Sequence, residues 1–294
     1  MLVMAARQLR KAAACLLVSA TAALAQPADP VVGMVDNACP PPLEQPQALR
    51  DLLAEIFFEP HEIVPADFAR LGADPDLAAL NEANRRRAAQ DWASVCRYRS
   101  ANEAALAATQ KPRVVFLGDS ITENWAAADP ALFAGGIVGR GISGQTTPQM
   151  LLRFRSDVVA LRPAIVHILA GTNDVAGNTG PTTQQDFKNN VMSMVEIAKA
   201  NGIAVILGSI PPAAAFPWRP EVDPRRNIAE LNSWLRGYAG RAGAEFIDYY
   251  AALAGSSGEL RADLGNDGVH PNYAGYAIMH ALVERSLGLG EIQR

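Results

Sequence analysis

The chain has 294 residues, of which 49% are hydrophobic, so it can bury one sizeable core and carry an appended segment. Its 26 basic and 30 acidic residues include no long basic run in the body of the chain. This distribution argues against a nucleic-acid partner.

The first 25 residues have the composition of a secretory signal peptide. Basic residues at positions 7, 10 and 11 precede a short apolar run that ends in Ala23-Leu24-Ala25, an A-x-A cleavage pattern. The run is too short for a comfortable membrane span, which makes an uncleaved anchor the weaker interpretation. We expect cleavage after Ala25, no membrane span in the mature chain, and a periplasmic or secreted location.

Two cysteines, Cys39 and Cys96, would remain after loss of Cys15 with the signal peptide. An even number of cysteines in an exported chain favours a disulfide, which would join an N-terminal arm to a helical segment. Two buried free thiols are the alternative.

The region 26–110 is predicted to be an N-terminal arm followed by helices. Residues 26–46 are rich in proline and are expected to be extended. Residues 47–58 and 74–108 are rich in Ala, Leu, Glu and Arg, and Asp74-Pro75 supplies a helix start signal.

From residue 111 to residue 294 the sequence alternates between strands and helices. Short, almost wholly apolar runs predict strands that are buried on both faces of a parallel sheet. The strands are predicted at 113–118, 135–141, 164–171, 203–210 and 244–249, with helices at 147–161, 184–202, 225–243 and 272–288. We therefore predict a three-layer, doubly wound α/β sandwich with a mostly parallel five-stranded sheet, preceded by the N-terminal helical segment.

Polar residues cluster where the predicted strands end, which is where ligands bind in such sheets. Ser120 follows the first strand, Gly144 the second and Asn173 the third, while Asp267 and His270 precede the last helix. A serine hydroxyl becomes a nucleophile when a base takes its proton, and His270 oriented by Asp267 fits that role. The backbone N–H groups of Ser120 and Gly144 and the amide of Asn173 would stabilise an oxyanion.

These segments resemble the four sequence blocks of the GDSL-type, or SGNH, hydrolases. The blocks are GDSIT, GISGQTT, GTND and DGVHP, and they occur in the family's order. The resemblance implies Ser120 as nucleophile, Asp267 and His270 as the other members of the triad, and Gly144 and Asn173 as oxyanion donors. Ile121 stands where the family name expects Leu, and Gly139 where the similar exported bacterial members have Asn. Ser120 is also expected to cap the helix that follows it, with Asp119 as a structural acceptor.

Four residues near these blocks are candidate substrate contacts. Trp125 follows Ser120 by five residues, and Trp218 lies on the loop after the fourth strand. An aromatic face at an ester site can stack on a sugar, although such tryptophans often only pack a loop. Gly177 and Asn178 lie on a glycine-rich loop after Asn173, and such loops often contact substrate.

The expected activity is hydrolysis of short-chain esters through an acyl-enzyme, with acetyl esters as the leading candidates and carbohydrates as one option for the alcohol half. A lysophospholipase or thioesterase of the same family is the alternative, and an acyltransferase is a further variant. A metal phosphoesterase would use Asp119, Asn173, Asp267 and His270 as ligands, but only four histidines occur in the chain, so no metal or cofactor is expected. A binding module that has lost catalysis would lack one of the site residues.

Overall fold

The computed structural model describes residues 33–288, so the predicted signal peptide lies outside the described residues. The described residues fall into two units, 33–38 and 39–288. In the first unit, the described residues 33–38 form neither helix nor strand. The second unit contains the predicted N-terminal helices together with the sheet. No helix in the described part of the chain has the length and apolar character needed to cross a membrane.

A five-stranded parallel sheet forms the centre of the second unit, which confirms the predicted fold class. Its strands are β1 (Val114–Gly118), β2 (Ile137–Gly141), β3 (Ile165–Leu169), β4 (Ala204–Gly208) and β5 (Glu245–Ile247). The strands lie in the order β2-β1-β3-β4-β5. The order reverses between β1 and β3, and a crevice for ligands opens at such a point beyond the carboxyl ends of the strands.

Helices cover both faces of this sheet. The α-helices of the described residues are α1 Gln47–Phe57, α2 Pro65–Ala73, α3 Pro75–Gln90, α4 Arg99–Ala107, α5 Ser120–Ala128, α6 Thr147–Asp157, α7 Thr172–Ala176, α8 Gln184–Ala200, α9 Arg225–Ala242, α10 Tyr249–Leu253 and α11 Tyr273–Leu287. Residues of α6, α8 and α9 pack with Leu117 and Val166 in one apolar cluster. Residues of α5 and α11 pack with Phe116 and Leu169 in another. Alternate strand residues therefore feed opposite layers, as a doubly wound sheet requires.

The N-terminal helices differ from the prediction in two places. Helix α2 begins at Pro65, where no helix was expected. The helical pattern predicted over 74–108 is interrupted after α3, because the Asp91 carboxylate accepts the N–H groups of Val95 at 2.9 Å and Cys96 at 2.8 Å. These bonds replace the helical ladder and produce a turn over residues 91–98, hereafter the 91–98 turn.

A disulfide joins Cys39 to Cys96 and so ties the arm before α1 to the 91–98 turn. The two residues are 57 positions apart, and a closed loop of this size stabilises the folded state by about 4 kcal/mol in the chain-entropy model.

Replacing both cysteines, as Cys39→Ser with Cys96→Ser, should therefore lower the free energy of unfolding by about 4 kcal/mol in urea titrations. A reducing agent should destabilise the wild type by a similar amount and leave the double variant unaffected. Equal stability of the oxidised and reduced wild type would contradict the contribution assigned to the disulfide.

Candidate active site

Ser120 lies at the junction of β1 and α5, where the chain turns sharply into the crevice. A side chain at Gly118 would place its Cβ 2.0 Å from Thr122 Oγ1 and 2.6 Å from the carbonyl oxygen of Leu169, so only glycine fits there. The prediction that Ser120 caps α5 is wrong. Asp119 occupies the cap position, and its carboxylate accepts the Ile121 N–H at 2.9 Å. Ser120 is instead the first helical residue, and its own N–H has no partner within the helix.

Ser120, His270 and Asp267 form a hydrogen-bonded chain. The Ser120 Oγ lies 2.9 Å from His270 Nε2, and His270 Nδ1 lies 2.6 Å from Asp267 Oδ2. The other oxygen of Asp267 accepts the backbone N–H groups of His270 at 2.7 Å and Val269 at 2.9 Å. The carboxylate is therefore fixed on both sides, and it holds the imidazole with Nε2 facing the serine. This arrangement can move a proton from Ser120 to His270.

Burial and neighbouring charges determine the pKa values of His270, Asp267 and Asp119. Burial opposes charge on the His270 ring, but the charge and hydrogen bond of Asp267, helped by the charge of Asp119, raise the pKa of His270 above its ordinary value. Burial also works against ionisation of Asp267, yet the attraction and hydrogen bonds of His270 keep its pKa below the ordinary value. Burial raises the pKa of Asp119 to about 7, against the hydrogen bond from Ile121. Asp267 thus stays ionised and favours a protonated histidine.

Gly144 and Asn173 face the same opening as Ser120. Gly144 has a φ of +78°, which favours glycine, and a Cβ built there would meet nothing within 4 Å. Asn173 donates its amide to the carbonyl oxygen of Gln145 at 3.0 Å and accepts the amide of Asn178 at 2.6 Å. These two bonds fix which end of the Asn173 side chain carries the donors, and one N–H of the amide stays available to a ligand.

A cavity of about 390 Å³ opens over these groups. Its lining combines apolar side chains of the N-terminal region with polar groups of the strand ends. The lining residues are Leu53, Phe57, Phe58, Ser120, Asn124, Ser143, Gly144, Asn173, Asn178, Trp218 and His270. The five residues predicted for the triad and the oxyanion donors therefore meet around this cavity, with Asp267 behind His270.

Two of the four candidate substrate contacts line the cavity. Trp218 donates its indole N–H to Asn178 Oδ1 at 3.0 Å, and its ring lies 6.2 Å from the His270 ring. Gly177 does not line the cavity; with a φ of +68° it ends α7.

The prediction for Trp125 is wrong. Its side chain is fully buried, and its ring packs edge-on against Phe116 at 5.5 Å and is stacked with Tyr276 at 5.9 Å. Five residues along an α-helix turn the side chain by about 140° from Ser120, which directs it into the core.

Sequence reasoning missed several lining residues. Asn124 could have been found, because four residues after Ser120 it lies on the same face of α5. Leu53, Phe57 and Phe58 belong to no motif, and only the amphipathic pattern of α1 marks the first two as inward-facing. Among residues 33–288, no group of three or more His, Cys, Asp or Glu side chains is arranged to hold a metal ion.

The sequence profile of the GDSL-like lipase/acylhydrolase family matches residues 116–278. The chain belongs to this family. That membership confirms the predicted enzyme class, a carboxylic ester hydrolase. The match begins inside β1, so α1 to α4 and the 91–98 turn lie outside the family core.

Similar proteins extend the comparison. A crystal structure of a GDSL-like lipase from Bacteroides thetaiotaomicron is 44% identical, with a TM-score of 0.64, covering 67% of this chain and 98% of that one. An acetylxylan esterase of Geobacillus stearothermophilus is 28% identical over 52% of this chain and 72% of its own length. An uncharacterized lipoprotein of Bacillus subtilis is 38% identical over 24% of this chain, a segment that spans 30% of that protein.

The protonation of His270 can be measured without a substrate. Asp267→Asn removes the negative charge that raises the pKa of His270, while burial of the ring, which lowers it, remains. We expect histidine-ring NMR to give a pKa above about 6.5 in the wild type and below it in Asp267→Asn. The variant Asp223→Asn, at an exposed carboxylate that does not contribute to the shift of the His270 pKa, should leave the value unchanged. A His270 pKa that does not respond to Asp267→Asn would contradict this account of the site.

Proposed function

We propose that this chain is a serine esterase in which Ser120 is the nucleophile, His270 the general base and Asp267 the group that orients it. The observation that carries the proposal is the chain of two short hydrogen bonds, 2.9 Å from Ser120 to His270 and 2.6 Å from His270 to Asp267, at the floor of an open cavity. A serine that served only to shape the turn would not need a buried base beside it.

The reaction proceeds through an acyl-enzyme. As Ser120 Oγ attacks the ester carbonyl, its proton passes to His270 Nε2, and the ionised Asp267 stabilises the imidazolium. His270 then returns that proton to the departing alkoxide as the C–O bond to the alcohol breaks. Water next attacks the acyl-serine while His270 takes a proton from it. The bond between the acyl carbon and Ser120 Oγ then breaks, His270 returns the proton to Oγ, and the acid leaves. No step requires an additional oxidant, reductant or co-reactant.

Three donors are proposed for the oxyanion. They are the N–H of Ser120 at the start of α5, the N–H of Gly144 and the side-chain amide of Asn173. The first lies at a helix N-terminus, where the positive end of the macrodipole adds to the stabilisation of negative charge. Because the donors are fixed before the substrate arrives, they stabilise the transition state without a cost of reorganisation.

Short acyl esters, and acetyl esters of carbohydrates in particular, are the proposed substrates. The side chains of Leu53 and Phe57 form an apolar part of the cavity lining, and the Phe57 ring lies 6.3 Å from the His270 ring. This limits the room for a long acyl chain. Asn124, Asn178 and the partly exposed face of Trp218 offer the hydrogen bonds and ring surface that a sugar uses. The similarity to a protein named acetylxylan esterase supports the same substrate class.

An exported location is part of the proposal. The Cys39–Cys96 disulfide suits an oxidising compartment. The similarity to a bacterial lipoprotein points in the same direction, although it covers a short segment. We propose a periplasmic or secreted enzyme.

The activity is tested by hydrolysis of p-nitrophenyl acetate, butyrate and octanoate, with and without EDTA. The wild type should prefer acetate or butyrate, and Ser120→Ala should lose about 10⁶-fold in kcat because the attacking oxygen is gone. Ser233→Ala, at an exposed site on α9, is the matched control and should retain full activity. EDTA should have no effect.

Three results would change the proposal. Equal rates for the wild type and Ser120→Ala would refute the mechanism. Loss of activity in EDTA would contradict a mechanism that needs no metal ion. A preference for octanoate would favour a lysophospholipase or thioesterase over a short-chain esterase.

The part of the cavity lining that α1 supplies gives a separate prediction on the length of the acyl chain. Phe57→Ala should raise the octanoate-to-acetate ratio of kcat/KM by about tenfold, because each methylene that finds apolar room is worth about 0.8 kcal/mol. The control is Phe68→Ala, which removes an exposed ring of α2 that does not line the cavity. An unchanged ratio in Phe57→Ala would show that α1 does not limit the acyl chain.

A further inference from the structure

The segment from the last residue of β2 to the start of α6, residues 141–146, carries Gly144 and is hereafter the oxyanion loop. The 91–98 turn, which lies outside the family core, binds this loop directly at two points. The Tyr98 hydroxyl donates to the carbonyl oxygen of Gly141, and the Gln145 amide donates to the carbonyl oxygen of Ala93 at 2.8 Å. Both ends of the loop are therefore held by a segment that the Cys39–Cys96 disulfide ties in place.

A third connection runs through Glu123 on α5. One oxygen of its carboxylate accepts the Arg97 guanidinium at 2.9 Å. The other accepts two donors of Ser143, the backbone N–H at 2.7 Å and the hydroxyl at 2.6 Å. We call this set, Arg97, Glu123 and Ser143, the carboxylate clamp.

The carboxylate clamp acts next to a proposed oxyanion donor. Ser143 and Gly144 share a planar peptide unit, and the N–H of Gly144 belongs to it. One oxygen holds both the N–H and the hydroxyl of Ser143, which fixes the position of this residue and so restrains the peptide that follows it. Gly144 itself, without a Cβ and at a φ of +78°, would otherwise be free to turn its N–H away from the cavity.

Stability alone does not explain the clamp. Arg97 and Glu123 are partly exposed, with 38% and 27% of their side-chain surface accessible to solvent. Ion pairs of this kind contribute little to folding. Both oxygens of the Glu123 carboxylate are engaged, one with Arg97 and the other with Ser143. This geometry is better suited to orienting the oxyanion loop than to stabilising the core.

We propose that Glu123 is a positioning residue that, held by Arg97 of the 91–98 turn, aims the Gly144 N–H at the oxyanion. The inference rests on the proposed esterase function and deepens it. It assigns a role to the N-terminal region, which completes an oxyanion site whose donors all belong to the family core.

The test compares Glu123→Ala, Glu123→Gln, Arg97→Ala and Ser143→Ala in hydrolysis of p-nitrophenyl acetate. Glu123→Ala should lower kcat about 10- to 100-fold, because a poorly aimed Gly144 N–H still stabilises the oxyanion in part. KM should change less than about threefold. Glu123→Gln keeps an acceptor for Ser143 and should recover part of the loss. Ser143→Ala keeps the backbone bond and should lose less than Glu123→Ala.

A second readout separates positioning from folding. Phenylboronic acid forms a negatively charged tetrahedral adduct with a nucleophilic serine. An oxygen of this adduct occupies the place of the oxyanion and accepts hydrogen bonds from the same donors. Its affinity should fall in Glu123→Ala by about the factor lost in kcat. The control is Glu82→Ala, which breaks exposed ion pairs to Arg85 and Arg86 on α3 and should change neither value.

Two outcomes would overturn the proposal while leaving the esterase intact. In one, Glu123→Ala keeps wild-type kcat and boronate affinity. In the other, kcat falls together with the thermal unfolding midpoint, but boronate affinity per folded molecule is unchanged, which would make the role of Glu123 structural. A wild type that neither hydrolyses the ester nor binds the boronate, like Ser120→Ala, would overturn the esterase function and the clamp together.

Discussion

The buried guanidinium of Arg153 is the point on which the geometry of the site depends. Its side chain is fully buried and donates to the carbonyl oxygens of Gly118 and Arg140, each at 2.9 Å, and to Gln145 Oε1 at 2.6 Å. Removal of the partners of such a charge is strongly destabilising, so each of these acceptors is constrained to stay in place. Gly118 is the last residue of β1, Arg140 is the second-last residue of β2, and Gln145 belongs to the oxyanion loop. Ser120 and Gly144 leave the sheet from these fixed ends.

The same network extends to the N-terminal region. The second buried arginine, Arg140, donates to the side-chain oxygen of Asn102 on α4 at 2.7 Å, and Asn102 donates to Asp157 at 2.8 Å. Asp157 also pairs with Arg153 at 3.0 Å. Arg153 thus binds Asp157 directly, and Arg140 is linked to the same carboxylate through Asn102. The ring of Tyr98, 4.9 Å from the Arg140 guanidinium, stabilises the second charge. Helix α4, which lies outside the family core, therefore supplies hydrogen-bond partners for buried polar groups of that core.

The sequence predicted the sheet well because buried parallel strands are apolar throughout, and each observed strand lies within its predicted run. It also led to the residues around the cavity, since strand ends in such a sheet meet at one edge. Sequence-based prediction failed where contacts between segments far apart in the chain determine the position of a helix. The packing of Phe58 on Tyr273 and Tyr276 brings α1 over the cavity, and no local pattern encodes that contact. The error at Trp125 has a different origin, since helical periodicity alone would have directed that side chain inward and Asn124 outward.

Helix α5 unites these separate contributions. Ser120, Glu123 and Asn124 occupy positions i, i+3 and i+4, which share one face of a helix. That face therefore carries the proposed nucleophile, the acceptor that holds the oxyanion loop and a polar part of the cavity wall. Because the helix is rigid over this distance, a displacement of Ser120 would carry Glu123 and Ser143 with it. The distance between nucleophile and oxyanion donor is thus determined by one turn of helix and two hydrogen bonds, rather than by two independent loops. Preorganisation of this kind is what stabilisation of a developing negative charge requires.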